Sequence, residues 1–136
     1  MKKLLFVFLT ISLLAGCKKE EGEGGLATIV GVVQTDIRLV PSNPATFQYS
    51  RAGVDEEVYI IYGDNVGPDD RVWTNYKGEF EFRNLRPGKY KIYVYSRDTT
   101  GSAQVNVERM PVVKEVEIED RKGEVDAGTI IIYDVP

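Results

Sequence analysis

The chain holds one cysteine, Cys17, and no histidine. Together these remove the commonest general bases, nucleophiles and zinc ligands from any catalytic scheme. Carboxylates are what remain. Glu79 and Glu81 share one face of an alternating stretch, and Glu115, Glu117 and Glu119 share another. Glycoside hydrolysis needs two acids facing each other across a cleft, whereas acids alternating along a strand form a solvated face. The sequence therefore points away from an enzyme. Asp64, Asp69 and Asp70 sit in the oxygen-rich loop Asp64-Asn65-Val66-Gly67-Pro68-Asp69-Asp70. Calcium takes such oxygen ligands, but the spacing of a dedicated calcium loop is missing and turn-forming composition accounts for these residues. No metal and no cofactor is expected, and an enzyme or a calcium-dependent adhesin stands as a remote alternative. The aromatic residues are the best ligand candidates. Trp73, Tyr76, Tyr93, Tyr95 and Tyr59 present flat rings with a polar edge, which suit sugar stacking or a protein interface.

Strands are the elements that must position these rings. From Ala27 onward no segment sustains helical periodicity, while short β-branched or alternating runs recur between turn residues. The expected strands are Thr28–Val33, Val58–Tyr62, Arg71–Thr74, Glu79–Arg83, Lys89–Ser96, Val112–Ile118 and Thr129–Tyr133. In Glu79–Arg83 the phenylalanines Phe80 and Phe82 point inward and the charges outward. In Lys89–Ser96, Tyr90, Ile92 and Val94 take the core face, which leaves Tyr93 and Tyr95 facing away with Tyr59 on the same outer surface. Asn75-Tyr76-Lys77-Gly78 and Asn84-Leu85-Arg86-Pro87-Gly88 read as turns, the second with Pro-Gly suited to a type II turn. Residues 35–55 fit less well. They read as a long loop or extra hairpin whose Ile37, Leu39, Val40, Phe47 and Tyr49 cap one end of the domain and could cover the tyrosines. The fold class is all-β, a single antiparallel sandwich of about seven strands.

Ahead of the strands lies a different kind of segment. Lys2-Lys3 are followed by the apolar run Leu4–Leu14, which ends in the small residues Ala15-Gly16 before Cys17. A positive start, a short apolar run and small residues at its close make a secretory leader, too short to span a bilayer. Leu14-Ala15-Gly16-Cys17 resembles the lipobox of bacterial lipoproteins. That resemblance implies cleavage before Cys17, a diacylglyceryl thioether on its sulfur and acylation of the new N-terminus. Residues 1–16 are then a signal peptide, 17–25 a lipidated cysteine and flexible tether, and 26–136 the domain. Lys19-Glu20-Glu21 resembles the export signal of Bacteroidetes lipoproteins, which implies display on the outer face of the outer membrane, with a periplasmic orientation as the alternative. Removing residues 1–16, which carry two of the 17 basic side chains and no acid, leaves 15 basic against 21 acidic ones, a formal charge of −6. So acidic a chain is no partner for nucleic acid. Its attachment to a membrane rests on the lipid.

The run from Thr74 to Val94 resembles the signature of carboxypeptidase regulatory-like domains, which are transthyretin-like β-sandwiches. The matching positions are Gly78, Phe80, Asn84-Leu85, Pro87-Gly88, Tyr90, Ile92 and Val94, and the likeness extends over residues 27–134. One departure is Asn75, where the family's turn commonly carries an acid. The related collagen-adhesin B-type domains can form a lysine–asparagine isopeptide, but Ala27–Gln34 has no lysine and Thr129–Tyr133 no asparagine. The signature speaks for fold and says little about function. The reading is a non-catalytic, membrane-anchored binding or assembly module at the cell envelope, with an envelope protein or a glycan as partner. The alternative is a purely structural envelope lipoprotein within a larger complex. Replacing Cys17 by serine (Cys17→Ser) is expected to abolish incorporation of radiolabelled fatty acid; label retained in that variant would refute the anchor.

Overall fold

A computed structural model describes residues 20–100 and 109–136 of the chain. Cys17 and Lys19 lie outside these residues. The described chain is nearly all strand: β1 (Glu23–Arg38), β2 (Phe47–Ala52), β3 (Glu57–Tyr62), β4 (Asp70–Trp73), β5 (Glu79–Leu85), β6 (Gly88–Arg97), β7 (Arg109–Ile118) and β8 (Lys122–Asp134), with one 3-10 turn at Pro44–Thr46. Two four-stranded sheets face each other. One runs β4-β3-β6-β7, antiparallel throughout. In the other, β1 is the centre: β8 pairs with one edge, while β5 and β2 pair end to end with the other.

Alternation places the core. Ala27, Ile29, Val33, Val58, Ile60, Phe80, Phe82, Leu85, Tyr90, Ile92 and Val94 are buried between the sheets, joined by Ile118, Ile130 and Ile132. Each contributes about 1.5–3 kcal/mol by leaving water. The alternations predicted from sequence hold, with Phe80 and Phe82 and then Tyr90, Ile92 and Val94 on the core face. So does the turn at Asn75: its Oδ1 accepts the N–H groups of Lys77 (2.9 Å) and Glu79 (3.0 Å), and its Nδ2 donates to Glu79 Oε2 (2.9 Å). Gly78 closes that turn at φ +79°, a backbone state open to glycine.

Four features differ from the sequence reading. Among the described residues there are eight strands, because residues 47–52 form β2 and complete a hairpin with β1. The sandwich is not wholly antiparallel, since β1 and β8 run parallel. The cause is that β7 ends beside the start of β1 and the chain crosses between sheets there. The apolar residues of 35–55 do not cap the domain: Ile37 is buried, but Leu39, Val40, Phe47 and Tyr49 are exposed, since β2 lies at an edge with its side chains in solvent. Gly88 has φ +145° and opens β6, so Pro87-Gly88 departs from the roughly +80° of a type II turn.

Residues 20–25 are also more ordered than a tether. β1 already starts at Glu23. Gly22 donates its N–H to the buried hydroxyl of Tyr90 (2.9 Å), and that hydroxyl donates to the carbonyl of Arg86 (2.6 Å). Arg86 N–H in turn reaches the carbonyl of Gly22 (2.9 Å). The Glu21 side chain lies across Gly88, where an added Cβ would stand 2.1 Å from its Cγ. One tyrosine thus ties the N-terminal segment to the β5–β6 connection. Tyr90→Phe is expected to cost about 1–3 kcal/mol in urea unfolding by orphaning a buried N–H, and to speed amide exchange at Gly22. Unchanged stability and exchange would show that the docking does not depend on it.

Candidate functional site

Strand pairing brings the outward rings together on the antiparallel sheet. Tyr59 of β3 stands opposite Tyr93 of β6 on one side and Arg71 of β4 on the other. Glu57 stands opposite Trp73, Tyr93 opposite Val113 and Tyr95 opposite Pro111. Residues two apart on a strand share a face, so these side chains form one stripe across all four strands. Tyr59 and Tyr93 stack with centroids 5.0 Å apart and planes at 12°. Tyr95 meets both edge-on, at 5.8 Å from Tyr59 and 5.6 Å from Tyr93. Such pairs contribute about 0.5–1.5 kcal/mol beyond burial, enough to hold the rings in a fixed relation. Tyr93 is buried at the centre of the cluster, while Tyr95 and Trp73 are 40% and 59% exposed.

Charged groups fix the polar edge. The Tyr59 hydroxyl donates to Glu57 Oε2, and Arg71 Nη1 sits 2.6 Å from the other oxygen of that carboxylate. The hydrogen bond to Glu57 and partial burial hold the Tyr59 phenol above its ordinary range. Burial, then Tyr95, does the same for Tyr93. Beside them the β2–β3 connection supplies Asp55 and Glu56, and with Glu57, Tyr59, Trp73, Tyr95 and Arg109 these enclose a shallow groove of about 330 Å³. Burial raises the Glu56 carboxyl, against the opposing pull of Arg109. A second groove of about 730 Å³ lies on the other side of Trp73, with Val32, Glu79, Glu81, Glu124 and Asp126 in its walls.

Of the five aromatic candidates, Tyr59, Tyr93, Tyr95 and Trp73 converge. Tyr76 does not: it projects from the tip of the Asn75–Gly78 turn, 76% exposed, with Lys77 Nζ 5.7 Å from its ring centre. Of residues 35–55, the strand residues belong to the opposite sheet and do not cover the tyrosines, while Asp55 lines the groove beside them. Asp69 is spent on its own loop, accepting Tyr62 N–H (2.7 Å) and Asn65 Nδ2 (2.9 Å), and Asp70 accepts Arg71 N–H (2.8 Å). Asp64 is exposed. Among the described residues no three acidic side chains converge as metal ligands would. Glu20 is exposed and Glu21 half-buried.

Sequence reasoning missed the residues that frame the groove. Thr74 is buried, and its hydroxyl donates to Gly53 O (2.5 Å) and accepts Glu56 N–H (2.9 Å). It clamps the connection carrying Asp55, which sits at φ +54°. The signal available was the turn composition of Gly53-Val54-Asp55; nothing in the sequence joined it to Thr74.

No known protein family matches the chain, and no curated protein matches it. Among solved structures, a candidate carbohydrate-binding protein from Pseudomonas aeruginosa aligns over 83% of this chain and 91% of its own, at 14% identity and a TM-score of 0.47. At that score the likeness supports no inference about ligand.

Thr74→Val keeps the side-chain shape and removes both hydrogen bonds. It is expected to destabilise by about 1–3 kcal/mol and to shift the fluorescence of Trp73, the chain's one tryptophan. A variant with native stability and emission would show that the clamp is dispensable.

Proposed function

We propose that the protein is a non-catalytic, lipid-anchored lipoprotein of the outer membrane, displayed at the cell surface, whose tyrosine face binds a glycan. The observation that carries this reading is the grouping of Tyr59, Tyr95 and Trp73 around a shallow groove edged by Arg109 and by Glu57, whose carboxylate Arg71 holds in place. Pyranose rings offer apolar faces and hydroxyl edges. Exposed aromatic rings take the faces, and charged groups already fixed in place take the hydroxyls without further ordering cost. The groove is open and shallow, which suits a chain lying across it better than a small molecule enclosed within it.

A second reading is an assembly role with an envelope protein. It draws support from the exposed Leu39, Val40, Phe47 and Tyr49 on the β1–β2 hairpin, a group of apolar side chains away from the tyrosines. The two readings separate cleanly. On a glycan array the protein is expected to bind, and Tyr59→Ala or Tyr95→Ala to weaken that binding about tenfold or more, the loss of over 1 kcal/mol typical of a central aromatic contact. Undiminished binding by both folded variants, or no binding at all, would remove the glycan reading. A partner protein recovered with the wild type and lost with Phe47→Asp would favour assembly.

A further inference from the structure

The sandwich has two unlike ends. The tyrosine groove lies toward the end where β3 begins and β6 finishes. At the other end, where β1 and β8 begin, a groove of about 700 Å³ is lined by Leu26, Arg86, Pro87, Arg121 and Lys122 together with Gly24 and Gly25. Its charged residues are all cations. Among the described residues none of the three forms an ion pair. Leu26 is 73% exposed although it lies in β1 beside Lys122. The acids nearest in sequence are Glu20, Glu21 and Glu23 on the entering segment and Glu119, Asp120 and Glu124 around the β7–β8 turn; none of these lines the groove, the Glu21 side chain lying beyond it across Gly88. Exposed apolar side chains beside unpaired cations are the pattern of a surface that meets lipid headgroups.

The chain entering this end makes the argument geometric. Glu20 is held there by Arg86, whose Nη1 donates to its carbonyl (3.3 Å), and Gly22 by Tyr90. Three residue steps lead from Cys17 to Glu20, a reach of at most about 11 Å. An acyl anchor on Cys17 would therefore hold this end of the sandwich close to the headgroup layer, near enough for its cations to feel an anionic surface whose field fades over about 8 Å.

We propose that the end bearing Leu26, Arg86, Pro87, Arg121 and Lys122 is a foot that rests on the anionic headgroups of the anchoring membrane and sets the domain upright. This rests on the lipid at Cys17. The tyrosine groove is then lifted clear of the bilayer, since the seven steps from Gly88 to Tyr95 along β6 span about 23 Å.

The test uses lipidated protein in vesicles of phosphatidylcholine alone or mixed with phosphatidylglycerol. With Cys17 acylated, a cysteine introduced as Leu26→Cys or as Phe47→Cys is the one free thiol for a fluorophore. A headgroup-bound quencher is expected to quench the label at 26 several-fold more than that at 47, and more so with phosphatidylglycerol. The exposed pair Arg121→Glu plus Lys122→Glu is expected to erase the dependence on anionic lipid, at roughly fivefold in orientation per charge lost, while the protein stays on the vesicles. Equal quenching at both sites, or a lipid dependence that survives charge reversal, overturns the foot even if the protein is anchored. Pro87→Cys repeats the measurement should a label at 26 disturb β1. Mass spectrometry finding no acyl chain on Cys17 overturns the anchor and the foot together.

Discussion

Everything in this molecule depends on satisfying the backbone of one long strand. β1 runs 16 residues through the middle of its sheet, and an unpaired N–H or C=O there would cost as much as a lost hydrogen bond. One edge is served by β8 along most of its length. The other edge needs two partners, β5 and then β2, and the join falls at Val33. There Val33 N–H donates to Gly78 O (2.7 Å) and Val33 O accepts Gly53 N–H (2.9 Å). Both glycines belong to turns that frame the candidate site. Gly78 closes the turn after Trp73, and Gly53 opens the connection carrying Asp55 and Glu56 and leading to Glu57. The site's walls are therefore placed by the need to complete β1.

The division of labour between the sheets follows. The β1 sheet supplies the long scaffold and receives the N-terminal segment. The antiparallel sheet supplies the tyrosine face, where side-chain contacts rather than backbone pairing decide geometry. Tyr90 and Tyr93 show the contrast within one strand. Tyr90 points inward, meets Tyr62 edge-on at 5.8 Å and spends its hydroxyl on backbone groups. Three residues later Tyr93 points outward, stacks on Tyr59 and is buried by other rings.

Much of this was legible in the sequence because strand alternation is a local signal. Phe80, Phe82, Tyr90, Ile92 and Val94 declare a core face, and the same alternation assigns Tyr93, Tyr95 and Tyr59 to a common surface. What alternation cannot encode is which strands become neighbours. The parallel β1–β8 pair, the hydrogen bonds of Thr74 to residues 21 and 18 positions earlier, and the docking of Gly22 on Tyr90 all join distant segments. Composition misled twice. Glycine-rich residues 20–25 read as flexible, yet small residues also let a chain lie closely against Tyr62 and Tyr90. The apolar residues of 35–55 read as a cap, yet Leu39, Val40, Phe47 and Tyr49 lie in an edge hairpin and are exposed.

The parallel pairing of β1 and β8 has a mechanical consequence. A pull on the residues before Glu23 enters the sandwich along the axis of β1. The hydrogen bonds on both edges of that strand lie across the pull, so many are loaded together in shear instead of parting one at a time like a zip. The connection from β1 to its neighbours resists as a unit, and the piece that yields first is the Gly22–Tyr90 contact outside it. Tension on this protein would free Gly22 from Tyr90 before it disturbed the tyrosine face.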